Sequence, residues 1–321
     1  MKNAMFFLDV NKKINLNDYI SVYKLLLENK SKYNKIYCII TDTQHKDDSV
    51  AVNNIQENIL DNIAALINMG LDNNVMFIKE SQLLQIAQNA NTLSNYIYLS
   101  KLTKSPYIKE EIQQQTDNNI KVSKILGMLN LISACLSVDV DDIYVSQKFV
   151  YIYEIAKKII NDFNQQNETK LTFGNLVLNT EYLDQSMGLD GNTKISNRFH
   201  NDLELLLEDE EIRLKVMSIY TDPNHIKVTD KGNVDNNPLF VFIRQICDDE
   251  IVKKHFDINT EKQLEEHYMQ GGIGDAKLKN MLYEAILTKF NNLKNKIDLQ
   301  YITERIDNNT AEFKKLLKII D

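Results

Sequence analysis

The chain has 321 residues, 43% of them hydrophobic and 26% charged, an ordinary globular balance with room for two domains and a large core. Its net charge of −8 lacks the basic footprint of a nucleic-acid binder, so DNA is not an expected partner, although an acidic protein can still hold RNA on a local patch. The three cysteines are far apart and read as buried thiols of a reducing compartment, and no apolar run approaches the roughly 20 residues that span a bilayer; the expected location is the cytoplasm, off the membrane.

The first apolar run, Met5-Phe6-Phe7-Leu8-Asp9, predicts a buried strand. Tyr19, Val22, Tyr23, Leu26 and Leu27 then recur at helical spacing, with Asp18 as the expected N-cap. A second strand is predicted at Ile36–Ile40, followed by a polar loop through His45 and Asp48. The next helix carries Ile55, Ile59, Ile63, Leu66 and Ile67 and stops at Gly70, a suitable residue just past a helix end. Val75–Ile78 is the third strand. This alternation of unbroken apolar strands with helices predicts a parallel, doubly wound α/β sheet covered on both faces.

Residues 81 to 137 hold no convincing strand and predict a helical insertion, over Leu83–Ala90, Leu93–Leu102 and Ile120–Leu136. The sheet resumes with Asp142–Val145, a long helix from Phe149 to Phe163 and a last strand at Leu176–Leu178. Beyond Phe199 every periodic segment is helical: Leu203–Leu207, Ile212–Ile219, Leu239–Cys247, Ile251–Phe256, Leu278–Leu293 and Ile302–Ile319. Two domains are therefore expected, 1–200 with the insertion at about 81–137, and an all-helical 201–321. The second holds 17 Lys and Arg against 23 Asp and Glu.

In a doubly wound sheet, ligands lie outside the carboxyl ends of the strands and phosphates at helix N-termini, usually where glycine lets the backbone come close. No glycine precedes Gly70. The first strand-to-helix turn offers Asp9, Asn11, Lys12, Lys13, Asn15, Asn17 and Asp18 instead. Two like charges about 4 Å apart repel by roughly 1 kcal/mol in water and roughly 4 kcal/mol at the effective dielectric of a protein surface. A carboxylate at Asp18 therefore suits that turn poorly to ATP.

Two stretches resemble the signatures of class I aminoacyl-tRNA synthetases, most closely the tryptophanyl-tRNA synthetases. Phe7-Leu8-Asp9-Val10-Asn11-Lys12 and Ile14-Asn15-Leu16-Asn17-Asp18-Tyr19 stand where the family has a G-x-x-P-[ST]-G segment and an H-I-G-H-type motif. The glycines and the proline are replaced. Met187-Gly188-Leu189-Asp190-Gly191-Asn192-Thr193-Lys194-Ile195-Ser196-Asn197-Arg198 resembles the family's M-G-L-D-G and K-M-S-K-S loop, with Lys194 and Ser196 retained and the second lysine and last serine falling on Asn197 and Arg198. Tyr220-Thr221-Asp222, Asn236-Pro238-Leu239-Phe240 and Gly271-Gly272-Ile273-Gly274-Asp275-Ala276-Lys277 resemble further family segments, so the likeness runs from end to end.

The resemblance implies a Rossmann-like catalytic-type domain and a helical domain like the family's anticodon-binding region. It also implies a homodimer joined through the insertion. The ATP-motif positions would be Asn15, Asn17, Asp18, Lys194, Ser196, Asn197 and Arg198, and the substrate pocket would include Phe7, Asp9 and Ala134. The family's acceptor for the indole N–H falls at or beside Ala134, which carries no carboxylate; its G-E-D-Q stretch falls on Ser146-Gln147-Lys148-Phe149; and Phe7 replaces a glycine, where its ring can fill the amino-acid pocket.

The preferred expectation is a paralogue with degraded ATP and tryptophan sites that binds or regulates, uses no cofactor and catalyses nothing. The alternative is an active tryptophan–tRNA ligase, or another adenylate-forming aminoacyl ligase, using ATP and Mg. A third reading is a purely structural partner that dimerises, a true synthetase being one candidate mate; tRNA is a further candidate partner. Elsewhere the residues read as architecture. The five histidines are scattered without ligand spacing. Glu208–Glu211 supplies acids for a helix start. Asp139, Asp141 and Asp142 are a solvated strand entry, Tyr144, Tyr151 and Tyr153 are core and interface, and Gly271–Gly274 is a helix-start turn.

Overall fold

The computed structural model describes residues 2–43, 52–113, 120–183, 186–193, 195 and 199–320. Its described residues contain one five-stranded sheet, built from β1 (Lys2–Leu8), β2 (Tyr33–Ile40), β3 (Val75–Lys79), β4 (Asp142–Tyr144) and β5 (Asn175–Val177) in the order β3-β2-β1-β4-β5. All neighbours are parallel. Phe6 lies opposite Cys38 on one side and Tyr144 on the other, and Ile39 opposite Ile78. Met5, Tyr37, Ile39, Met76 and Ile78 are buried on one face; Phe6, Cys38, Ile40 and Phe77, of opposite parity, are buried as well. Strands covered on both faces read in sequence as unbroken apolar runs, which is why the first three were legible.

The links are helical. Between β1 and β2 come α1 (Leu16–Asp18), a π-helical stretch at Tyr19–Tyr23 and α2 (Lys24–Asn29); α3 (Val52–Asn68) leads to β3. The insertion comprises α4 (Leu84–Ser94), α5 (Leu99–Leu102), α6 (Pro106–Gln113) and α7 (Val122–Leu136), and α8 (Gln147–Asn167) joins β4 to β5. After β5 follow α9 (Thr180–Leu183), α10 (Asp209–Met217), α11 (Pro238–Ile246), α12 (Asp249–Phe256), α13 (Glu261–Gln270), α14 (Asp275–Phe290) and α15 (Leu299–Lys314).

Two compact units result, one made of Met1–Lys12, Ser21–Leu178 and Lys296–Asp321, the other of Lys13–Ile20 and Asn179–Asn295. This division differs from a single boundary at residue 200. The start of the first helix goes with the helical unit because its backbone pairs there. Leu16 N donates to Leu203 O at 2.8 Å and Leu205 N to Ile14 O at 2.9 Å. That pairing is also why Leu203–Leu207 is not the helix its apolar spacing predicts.

The last helix goes with the sheet. Ile302, Ile306, Thr310 and Phe313 make a buried stripe on α15, and Thr310 Oγ1 accepts the edge-strand N–H of Lys79 at 3.0 Å. The Arg305 guanidinium lies 5.0 Å from the Phe77 ring, pairs with Asp72, and donates to the carbonyls of Asp72 at 2.7 Å and Val75 at 3.0 Å. A covered edge removes a row of open backbone groups that would otherwise pair with another chain. The sheet unit therefore needs the C-terminal helix.

Local capping chemistry sets other boundaries. Asn15, not Asp18, caps the first helix: its backbone is extended and its Oδ1 accepts from Asp18 N at 2.9 Å. Glu208 and Glu211 form a reciprocal capping box at α10. Asn237 caps α11 with Pro238 as its first residue. Gly70 ends its helix at φ +99°, a conformation open to glycine. Cys38 and Cys135 are buried thiols whose pKa values burial pushes up, and burial carries Cys247 to about 12. No helix among the described residues is long and apolar enough to cross a membrane.

Candidate functional site

The strand order reverses direction at β1. The connections run from β1 outward through β2 to β3, then return to place β4 on the other side of β1, so the switch point lies between β1 and β4 at their carboxyl ends. Two aromatic rings meet there. Phe7 is the next-to-last residue of β1 and Phe149 lies in the first turn after β4; their rings stack 5.1 Å apart at 21°. Phe149 is buried at 5% exposure and Phe7 is partly buried against the same core. Ala134, on α7, is buried in that core too, at 1% exposure.

The turn after β1 is tied down in a way that disfavours an anion. Asp9 Oδ1 accepts from Asn11 N at 2.9 Å and Asn11 Nδ2 at 2.8 Å. Two buried asparagines of α3 take the turn's carbonyls: Asn58 Nδ2 donates to Val10 O at 3.0 Å and Asn62 Nδ2 to Lys12 O at 2.9 Å. A phosphate cradle presents free N–H groups, whereas this turn presents a carboxylate and spends an N–H on it.

At the ends of β2 and β3 sits a pair of acids that pattern reading missed. Asp42 Oδ1 and Oδ2 accept from Ser81 N at 2.8 Å and Ser81 Oγ at 2.5 Å, and Lys79 Nζ stands 3.9 Å from Oδ2. Glu80, 4% exposed, accepts from Asn130 Nδ2 at 2.9 Å. Burial is the main influence on Glu80 and raises its pKa to about 7; hydrogen bonds from Thr43 and Asn130 oppose the rise, and the Asp42 charge adds to it. The only sequence signal was an acid directly after an apolar strand.

The helical unit holds the other motif positions. Asn15 is 1% exposed; its Oδ1 caps the helix and its Nδ2 lies 3.5 Å from Asp202 Oδ2, itself buried. Asn17 is buried, and its Oδ1 accepts from the hydroxyl of Tyr182, which is 2% exposed. Burial first, then the Asp18 charge, raise the Tyr182 hydroxyl pKa and keep it a donor. Asn15 and Asn17 thus engage their side-chain oxygens within the unit. Tyr182 carried no sequence signal for this role.

The Gly188 loop is a closed turn in the same unit. Gly188 N donates to Asn192 O at 2.8 Å and Gly191, at φ +81°, donates to Gly188 O at 3.0 Å. Burial works against the Asp190 charge, but hydrogen bonds from Asn192 and Asn201 outweigh it and hold the carboxyl below its usual range. Asn201 lies where a Cβ on residue 188 would meet its Nδ2 at 2.4 Å, so glycine is required at 188. Lys194, Ser196, Asn197 and Arg198 lie outside the described residues.

Solved structures share this fold. A tryptophanyl-tRNA synthetase from Mycoplasma pneumoniae superposes with a TM-score of 0.78 at 15% identity, covering 98% of this chain and 94% of that one. Another, from Campylobacter jejuni complexed with ADP and tryptophan, gives 0.74 at 17% identity over 98% and 95%. No family model matches the chain. The fold, an α/β sheet with a helical complement, is similar to that of these class I aminoacyl-tRNA synthetases.

Within that class the resemblance is to tryptophanyl-tRNA synthetase. The tryptophan–tRNA ligase of Clostridium longisporum is 26% identical over 289 residues, 88% of this chain and 82% of its own. That of Streptococcus mutans is 27% identical over 281 residues, 85% and 81%. The chain is therefore similar to tryptophan–tRNA ligases over most of its length.

Glu80 supplies a pH test. Its folded pKa lies above the unfolded value of about 4.3, so the native state binds the extra proton between the two and stability falls as pH rises from about 4 to about 7. Glu80→Gln removes that slope. We expect urea unfolding of the variant to match the parent near pH 4.5 and to exceed it by about 2 to 3 kcal/mol at pH 8; a difference that does not change with pH contradicts the assignment.

Proposed function

We propose that this protein is a non-catalytic relative of tryptophanyl-tRNA synthetase that acts by binding or regulation. The observation that carries the reading is the Phe7–Phe149 stack, which lies at the switch point of the sheet where this architecture takes its ligands. The amino-acid side of such a site needs an open crevice and a polar partner for an indole N–H. Here an aromatic pair stands in the crevice and Ala134, at the position the family resemblance assigns to the acceptor, offers only a methyl group. A pocket meant to pair an N–H loses discrimination when the acceptor is absent.

The nucleotide side supports the same reading. Asn15 and Asn17 are buried with their side-chain oxygens engaged, and the turn of Asp9 faces its own carboxylate. Those residues do not fit ATP with Mg, so no reaction step is assigned to them. Removing one transition-state charge contact in an active site costs on the order of 3 to 4 kcal/mol, and Asn17, Asp18 and Asn197 all differ from the family letters. Such losses do not simply add. The proposed location is the cytoplasm, and tRNA or a true synthetase is the proposed partner.

Tryptophan-dependent exchange of pyrophosphate into ATP is expected at background for the unaltered protein. Restoring Asn17→Gly, Asp18→Asn and Asn197→Lys together is expected to leave it there, because Phe7 and Ala134 are untouched. Exchange above background in the unaltered protein with any of the twenty amino acids overturns the reading in favour of an active ligase.

A homodimer is proposed through the helical insertion. Leu84, Tyr98, Leu99, Val122 and Leu126 stand out of it at 79%, 80%, 62%, 68% and 55% exposure, apolar side chains that such an interface would cover. Sedimentation equilibrium is expected to give twice the chain mass, and Leu99→Glu with Leu126→Glu to give the single mass. A concentration-independent monomer in the unaltered protein removes the proposal.

A further inference from the structure

The sheet unit carries a second cleft, where the α5–α6 corner faces one stripe of α8. Tyr151, Glu154, Ile155 and Lys158 are spaced three and four residues apart, so they share a face of that helix. Lys101, Lys104, Ser105 and Pro106 close the other wall. The cleft has room for about 170 Å³, enough for a phosphate-sized group and below the roughly 300 Å³ at which sites for larger ligands begin.

The charge in this cleft is unbalanced. Lys101, Lys104 and Lys158 line it with one acid, Glu154, whose carboxylate is already held by Lys157 at 2.5 Å. Among the described residues no carboxylate pairs with Lys101, Lys104 or Lys158. Elsewhere this acidic chain, of net charge −8, supplies partners freely: Lys35 has Glu312, Lys254 has Glu284, and Lys318 has Asp139. An anion entering among three lysines without carboxylate partners gains their attraction without displacing a partner. The corner adds to the positive field. Ser105 Oγ accepts from Ile108 N at 3.3 Å, so the N-terminus of the eight-residue α6 begins at the cleft wall.

We infer that the cleft between the α5–α6 corner and α8 binds the phosphate group of a small phosphorylated molecule, held by Lys101, Lys104 and Lys158. Tyr151 and Ile155 supply a wall for the short body that carries the phosphate. This site shares no named residue with the strand-end crevice. It asks nothing of the signature motifs and stands whether or not the protein activates an amino acid.

Calorimetric titration of the full chain at low ionic strength tests it, with inorganic phosphate and glycerol phosphate as probes. Saturable binding of both is expected, weakened about tenfold or more by Lys104→Ala and by Lys158→Ala, as loss of a charge-assisted contact requires. Lys318→Ala, remote from the cleft, leaves it unchanged, and Glu154→Gln tightens it. Tighter binding of the ester identifies a phosphorylated metabolite as the source, and equal affinity identifies free phosphate. No saturable heat from either probe, or equal affinity in the lysine variants, overturns the site. So does an RNA oligonucleotide that binds through the same lysines while both small probes fail.

Discussion

The reversal of strand order between β1 and β4 creates an opening at the carboxyl end of any doubly wound sheet, because the two adjacent connections leave in opposite directions and cannot close over it. Whatever side chains end those two strands decide whether the opening is a pocket or part of the core. In this chain they are Phe7 and the Phe149 that follows β4, and they stack. Two aromatic faces in contact gain area and ring–ring attraction together, about 0.5 to 1.5 kcal/mol beyond burial alone. A ligand entering there has to displace that contact before making its own.

The polar groups around the strand ends are arranged consistently with that choice. Asp42 takes two hydrogen bonds from Ser81 and stands near Lys79, while Glu80 is buried with Asn130 and shifted toward its neutral form. Carboxylates near a phosphate site are repulsive unless metal or lysine offsets them. In the helical unit the first-turn amides are likewise turned to structural use. Asn15 caps a helix, and Asn17 receives Tyr182. At these positions the side chains serve packing and capping: Phe7 stacks on Phe149, Asn15 caps a helix and Asn17 receives Tyr182.

Much of the fold was legible in the sequence. β1 to β3 showed as apolar runs because both faces are buried, and Gly70, Pro238 and the Glu208–Glu211 acids marked helix ends by local chemistry. What stayed hidden depends on distant pairing. Asp18 and Asn15 are equally good caps by type, and only the pairing of Leu16 with Leu203 places Asn15 at the helix start and holds residues 203–205 extended. The short polar α13 buries just Leu264 and Tyr268, too few apolar positions for periodicity to show. α15 looked like one more helix of the second domain because its stripe does not say which surface it meets; Arg305 and Thr310 fix that surface. At the candidate site, Phe7 was readable as the apolar end of the first strand, whereas Phe149 as its stacking partner, Tyr182 as the partner of Asn17 and the buried Glu80 were matters of three-dimensional neighbourhood.

The central claim is that the strand-end crevice of this synthetase-like sheet is filled by its own aromatic side chains. Calorimetric titration with tryptophan, and separately with ATP, addresses it directly in the unaltered protein. The account predicts no saturable heat from either at millimolar concentration; micromolar binding of tryptophan to the protein with Phe7 in place contradicts it.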